Sequence, residues 1–124
     1  MTCMLAVCLI FQTPTPAWHE LDWEKWILRE GMFEVNRRGF ILPDRSEIDV
    51  ESKDIAYEID FANKWKEAIG QSLFYGISTG KRPGIILLMG KGNPDLERLY
   101  YLRCLVVCGK HGITLRTVKM RNHY

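Results

Sequence analysis

Between Ile55 and Phe61 apolar and polar positions alternate: Ile55, Tyr57, Ile59 and Phe61 share one face, and Ala56, Glu58 and Asp60 share the other. A period of two predicts a half-buried strand with two carboxylates projecting from the same side. The period then changes. A helix is predicted from Ala62 or Asn63, with Asn63 as N-cap, until the glycines at 76 and 80 break it. Lys64, Ala68, Gln71 and Tyr75 recur at helical spacing as a polar stripe that can look back at the carboxylate face, beside an apolar stripe of Trp65, Ile69, Leu73 and Gly76.

Upstream, Trp18–Arg29 has helical periodicity through Leu21, Trp23, Trp26 and Ile27, and Gly31 is a natural stop. Met32–Asn36 alternates as a strand, Arg37-Arg38-Gly39 reads as a turn, Phe40–Leu42 resumes, and Pro43-Asp44 turns again. Glu47–Val50 gives another short strand, with Ile48 and Val50 facing one way and Glu47, Asp49 and Glu51 the other. Antiparallel pairing of this strand with Ile55–Phe61 brings Asp49 toward Glu58. Downstream, the apolar run Ile85–Met89 has the character of a strand covered on both faces. Asn93-Pro94 opens a helix running to about Cys108 and ending at Gly109, and Ile113–Met120 alternates as a last, half-exposed strand. The order reads αβββαβαβ, an α/β fold with a mixed sheet whose last strands run parallel to Ile55–Phe61 or its neighbour.

A chain of 124 residues, 47% of them hydrophobic, suits one domain spanning Trp18–Tyr124. The net charge of +2 is too slight to indicate nucleic acid by itself. From Arg103 to Tyr124 there are Arg103, Lys110, Arg116, Lys119 and Arg121 but no acid, which suits either a polyanion or ordinary solvated surface. Met1–Ala17 carries no charge, has an apolar run from Met4 to Phe11, and ends in Thr15-Pro16-Ala17. It reads as a signal peptide with a weak n-region, the alternatives being a short strand or a misplaced start. The run is shorter than the roughly 20 residues that span a bilayer, so no membrane anchor is expected. Cleavage after Ala17 implies an exported protein, periplasmic or secreted; retention implies a cytoplasmic one. Cys104 and Cys108 read as small core residues, and with His19, His111 and His123 scattered no zinc spacing exists.

Carboxylates clustered with a lysine at the mouth of a sheet suit metal-assisted phosphodiester hydrolysis. Magnesium takes hard oxygen ligands, keeps several waters, and needs only one or two carboxylates besides substrate phosphate. The duller account makes Asp49 and Glu58 solvated strand-face acids, Lys64 and Glu67 a surface pair, and Gln71 and Tyr75 hydrogen-bonding groups at a core edge.

Asp49, Glu58-Ile59-Asp60 and the helix carrying Gln71-Ser-Leu-Phe-Tyr75, in the order αβββαβαβ, resemble the PD-(D/E)XK nuclease superfamily over nearly all of Trp18–Met120. The run Glu58–Tyr75 is most similar to a group of small bacterial proteins, often exported, with the motif Glu-x-Asp-Phe-Ala-x-Lys-Trp-x-Glu-Ala-Ile-Gly-Gln-x-Leu-x-Tyr. The resemblance implies a restriction-endonuclease-like sheet and a nuclease, acting on DNA, that uses magnesium or manganese. It makes Asp49 and Glu58 the metal carboxylates and Gln71 and Tyr75 a substrate-side motif. Asp60 replaces the usual lysine and Ile48 the usual proline; Lys64 becomes the displaced lysine, and Asp60 either a third ligand or the mark of a site that no longer cuts. Glu24 or Glu30 of the first helix is implied as an assisting acid. Lys81 and Arg82 are expected as phosphate contacts at the carboxylate end, and Trp23, Trp26 and Trp65 as packing residues. The alternatives are a catalytically silent relative that binds nucleic acid or protein, and an exported interaction protein with a solvated acidic face.

Overall fold

The structure, a computed structural model, describes residues 18–119. The expected signal peptide at Met1–Ala17 lies outside the described residues, as do Cys3, Cys8, Met120, Arg121 and His123. Among the described residues three helices and five strands follow one another as α1 (Glu20–Glu30), β1 (Arg37–Arg38), β2 (Val50–Glu51), β3 (Ile55–Phe61), α2 (Trp65–Thr79), β4 (Arg82–Met89), α3 (Pro94–His111) and β5 (Thr114–Lys119). The protein is therefore α/β. Its sheet has the order β1-β2-β3-β4-β5, antiparallel from β1 to β3 and parallel from β3 to β5.

Helix α1 starts where the Asp22 carboxylate accepts the His19 backbone N–H at 3.0 Å, and stops at Gly31, whose φ of 63° favours a residue without a Cβ. Trp23 and Ile27 of α1 are fully buried and pack on Ile55, Tyr57, Ile59 and Phe61 of β3, with Ile86, Leu88 and Val118 beyond. The three tryptophans Trp18, Trp23 and Trp26 meet edge to face, with ring centroids 5.1–6.4 Å apart. The opposite face, with Ile85 and Leu87, packs on α2 and α3 through Ala68, Cys104 and Cys108. Both faces of β3 are therefore covered and all seven of its residues are buried. The half-buried strand expected from the alternation is corrected here: α2 roofs the face of Ala56, Glu58 and Asp60, with the small Ala68 and Ser72 letting it lie close and Tyr75 packed over Ala56.

The expected strand Met32–Asn36 is instead a 3-10 turn at Met32–Glu34, with φ of 54° at Phe33 and 62° at Glu34. Left-handed residues with side chains cost roughly 1–2 kcal/mol each, and Met32 and Phe33 offset this by packing on the core below α1. Arg37-Arg38, expected as a turn, forms the edge strand, with Arg38 paired to Val50 and Arg37 to Glu51. The next residue has to be Gly39, since a Cβ there would come within 2.3 Å of the Ile48 carbonyl oxygen. Gly84 is needed for a similar reason: a Cβ would press within 2.6 Å of the Tyr57 ring.

Asn63 does not cap α2. Ala62–Lys64 forms a 3-10 turn, and the α-helix begins at Trp65 with Lys64 at its cap position and no side-chain cap. Asn93 does cap α3, accepting the Asp95 and Leu96 N–H groups at 2.9 and 3.1 Å, with Pro94 in the first turn. That helix continues through Gly109 to His111 and ends at Gly112, φ 68°, so the expected stop at Gly109 lies three residues early. Among the described residues no helix is long and apolar enough to cross a membrane.

Candidate functional site

Asp49 immediately precedes β2, whose antiparallel register pairs Val50 with Tyr57 and Glu51 with Ala56. One step further along the same ladder Asp49 stands opposite Glu58. Its Oδ2 accepts the Ile59 N–H at 2.7 Å, which closes the ladder with a side chain. The Glu58 side chain lies on the α2 face, 8% exposed, and its buried Oε2 has no hydrogen-bond partner. Desolvation, followed by the charge of Asp49, pushes Glu58 up to about 10. Desolvation also lifts Asp49 to about 7, although the Ile59 N–H and Glu58 pull against it. Two carboxyls this close in a dry site hold a proton between them at neutral pH.

Tyr75 reaches the pair from α2. Its hydroxyl donates to the Glu47 carbonyl oxygen at 2.7 Å, and it is close enough to Glu58 to oppose the upward shift there. Burial and the surrounding carboxylates in turn raise the Tyr75 pKa. Asp60, two residues beyond Glu58 on the same strand face, is 5% exposed. Burial, then the Glu20 carboxyl beside it, pushes Asp60 up to about 8.

Lys64 belongs to this second group. Its Nζ lies 3.1 Å from Glu20 Oε1, and Glu20 and Asp60 are the acids that raise its pKa most. The expected placement of Lys64 beside Asp49 and Glu58 is thus corrected: the 3-10 turn after β3 swings it toward the first turn of α1. Gln71 is exposed on α2, and its side chain makes no hydrogen bond among the described residues. Being at i+7 from Lys64 puts it on the same helical stripe, but Ala68 and Ser72 occupy the buried positions and Gln71 lies beside them, toward solvent.

Lys81 and Arg82 are also displaced from their expected position. Arg82 pairs with Ile55 at the start of β3, whereas Asp60 pairs with Leu87, five residues or about 16 Å further along. A parallel crossover returns the chain to the end where the first strand began, so the α2–β4 loop cannot lie at the Asp60 end. There Lys81 Nζ contacts Glu51 Oε1 at 3.1 Å and donates to the Ser52 carbonyl oxygen at 3.0 Å. With Arg37 Nε 3.2 Å from Glu51 Oε2, it neutralises a fully buried carboxylate.

Of the two assisting acids, Glu24 faces the cluster and Glu30 does not. Glu24 Oε1 accepts the Arg38 Nε–H at 3.0 Å, and burial raises its pKa. Glu20 and Glu24, one helical turn apart, both raise the Asp49 pKa. Glu30 meets Arg29 on the exposed end of α1. The i, i+4 spacing of Glu20 and Glu24 was the available signal for Glu20.

The C-terminal ends of β3 and β4 open into a cavity of about 760 Å³ lined by His19, Glu20, Lys64, Lys91, Asn93 and Tyr100, among others. In open α/β sheets this end is where ligands sit. The Lys91 Nζ lies 4.2 Å over the Phe61 ring. Glu97 shapes the wall by accepting the Gly90 and Gly92 N–H groups at 2.7 and 3.2 Å. Neither Lys91 nor Glu97 stands out in the sequence, since an acid in the first turn of a helix also serves the helix dipole. The cavity and the acidic cluster share Glu20 and Lys64.

As a metal site the cluster supplies Asp49 and Glu58. Among the described residues no group of three or more His, Cys, Asp or Glu side chains is arranged to hold an ion. Two hard carboxylates, one with a buried and unpartnered oxygen, fit magnesium or manganese, which keep waters in their remaining positions. The site is thus that of an α/β protein with a buried, proton-sharing carboxylate pair beside an open cavity with lysines on its wall. No family model, curated protein or solved structure matches the chain.

Proposed function

We propose that this protein is a metal-dependent phosphodiesterase acting on nucleic acid, with DNA as the substrate, built on a restriction-endonuclease-like sheet of the PD-(D/E)XK kind. The observation that carries the reading is the buried, unpartnered Glu58 Oε2 next to Asp49, whose Oδ2 is fixed by the Ile59 N–H. Asp49 and Glu58 would hold magnesium or manganese, which on binding supplies a Lewis acid and an activated water. Asp49 keeps its orientation because its carboxylate is a rung of the β2–β3 ladder. Asp60, raised to about 8, takes up a proton close to neutral pH, and Lys64 with Glu20 sets the local charge around it. The cavity beside the cluster would take the substrate, with Lys91, and Lys64 once released from Glu20, as the lysines on its wall to meet phosphate.

A second reading, a silent relative that binds nucleic acid without cutting, is favoured by one observation: Lys64 pairs with Glu20 and leaves the Asp49–Glu58 pair without a lysine. Plasmid and single-stranded DNA incubated with the full chain in magnesium or EDTA separate the two. Magnesium-dependent cutting lost in Glu58→Gln, with the variant still binding DNA, supports the first. Retention of DNA without cutting supports the second. Absence of both, together with no thermal stabilisation by magnesium, refutes the proposal.

A further inference from the structure

The outward side of α3 carries an apolar stripe, flanked by Arg98 and Arg103, where a solvent-facing helix is normally charged throughout. Glu97, Cys104 and Cys108 mark its buried side. Directly opposite, Leu99, Leu102 and Val106 recur at i, i+3 and i+7, each at least 40% exposed and Val106 73% exposed, with Leu105 beside them. These residues line neither the cavity described above nor a second of about 470 Å³ on the β5 side of the helix. A run of this kind, two turns or about 10 Å long within a helix of 18 residues, is characteristic of an interface.

We propose that this face is covered by the same face of a second copy of the chain, with the two α3 helices antiparallel about a two-fold axis near Leu102. The ends of the stripe carry the argument. Asp95 lies on it in the first turn and Lys110 in the last. An antiparallel pairing sets each Asp95 against the partner's Lys110 and each Leu99 against the partner's Val106. It also aligns the helix dipoles favourably. A parallel pairing would oppose Asp95 to the partner's Asp95 and Lys110 to the partner's Lys110. Such a surface is complementary to itself, as a two-fold interface requires. Gly109 continues the stripe three residues after Val106, and a Cβ there would meet nothing, so the backbone is bare for close approach. Arg103, which is exposed, flanks the axis, where its stem would cover the seam with its head in water.

Sedimentation equilibrium of the full chain from about 1 to about 200 µM reads the proposal directly. A dimer is expected. Leu102→Glu should weaken it by about 100-fold, since both copies lose the central anchor. Asp95→Lys should weaken it several-fold, and Asp95→Lys combined with Lys110→Asp should restore it. Ile41→Glu, at an exposed apolar position far along the chain from α3, is the control and should leave it unchanged. Circular dichroism of each variant establishes folding, and the charge swap preserves the test if Leu102→Glu unfolds. A monomer at about 200 µM, a dimer indifferent to Leu102→Glu, or a double variant no better than Asp95→Lys would each overturn the proposal.

Discussion

Replacing Glu58 by glutamine isolates what the carboxylate pair costs the fold. The folded protein keeps a proton on Glu58 that the unfolded chain has already released above its ordinary value of 4.5, because burial and the Asp49 charge push the group up to about 10. The folded state therefore binds more protons throughout that window. Stability is fullest below about 4.5 and falls as pH rises toward 10. From 4.5 to pH 8 is about 3.5 pH units, or about 5 kcal/mol at most. Relaxation around a pair that shares its proton leaves about 2 kcal/mol of this. Glutamine has nearly the same shape, does not titrate, and can donate to Asp49. At pH 8 Glu58→Gln should thus be more stable than the parent by about 2 kcal/mol, or about 6–10 °C in Tm for a chain of this size. At pH 4 the two should melt together. Adding about 10 mM magnesium at pH 8 should stabilise the parent and not the variant, because an ion competes with the protons for the same oxygens. Denaturation of the full chain from pH 4 to pH 9, with and without magnesium, provides the measurement. A variant destabilised equally at every pH, with an unchanged magnesium response, would refute the reasoning.

Other positions give smaller or simpler outcomes. Tyr75→Phe loses the hydrogen bond to the Glu47 carbonyl oxygen and should cost about 1 kcal/mol in urea denaturation, with a nuclease assay showing whether the hydroxyl matters beyond the fold. Lys81→Met leaves the fully buried Glu51 with Arg37 as its remaining ion-pair partner; a loss of about 3 kcal/mol is expected, and a loss below about 0.5 would show that Lys81 is not structural. Glu97→Ala frees the Gly90 and Gly92 N–H groups and should cost about 2 kcal/mol, accompanied by faster amide exchange confined to the β4–α3 loop.

Much of the architecture was legible in local pattern, because local pattern is governed by one element at a time. The Ile55–Phe61 alternation, the apolar run at Ile85–Met89, Gly31 after α1 and Asn93-Pro94 before α3 each carry their own signal of period or backbone geometry. The juxtaposition of Asp49 with Glu58 followed from antiparallel pairing of neighbouring strands, which fixes register over a short turn. Where a residue's environment depended on elements distant in sequence, local reading failed. Met32–Asn36 alternated like a strand, but after Gly31 the chain has to reverse toward the sheet edge, and tertiary packing of Phe33 overrode the pattern.

The same division runs through the site. The sequence by itself determined which oxygens and nitrogens are available, and that Glu58 and Asp60 project from one strand face, because a period of two leaves no alternative. Tertiary structure decided which of them are dry and which have partners. The α2 helix buried the face that the alternation left open, α1 brought Glu20 to Asp60 and Lys64, and the parallel crossover carried Lys81 to Glu51 at the far end of the strands. Charge pairing across 44 residues, as between Glu20 and Lys64, has no local signature, since it is set by where three layers stack and not by the spacing within any one of them.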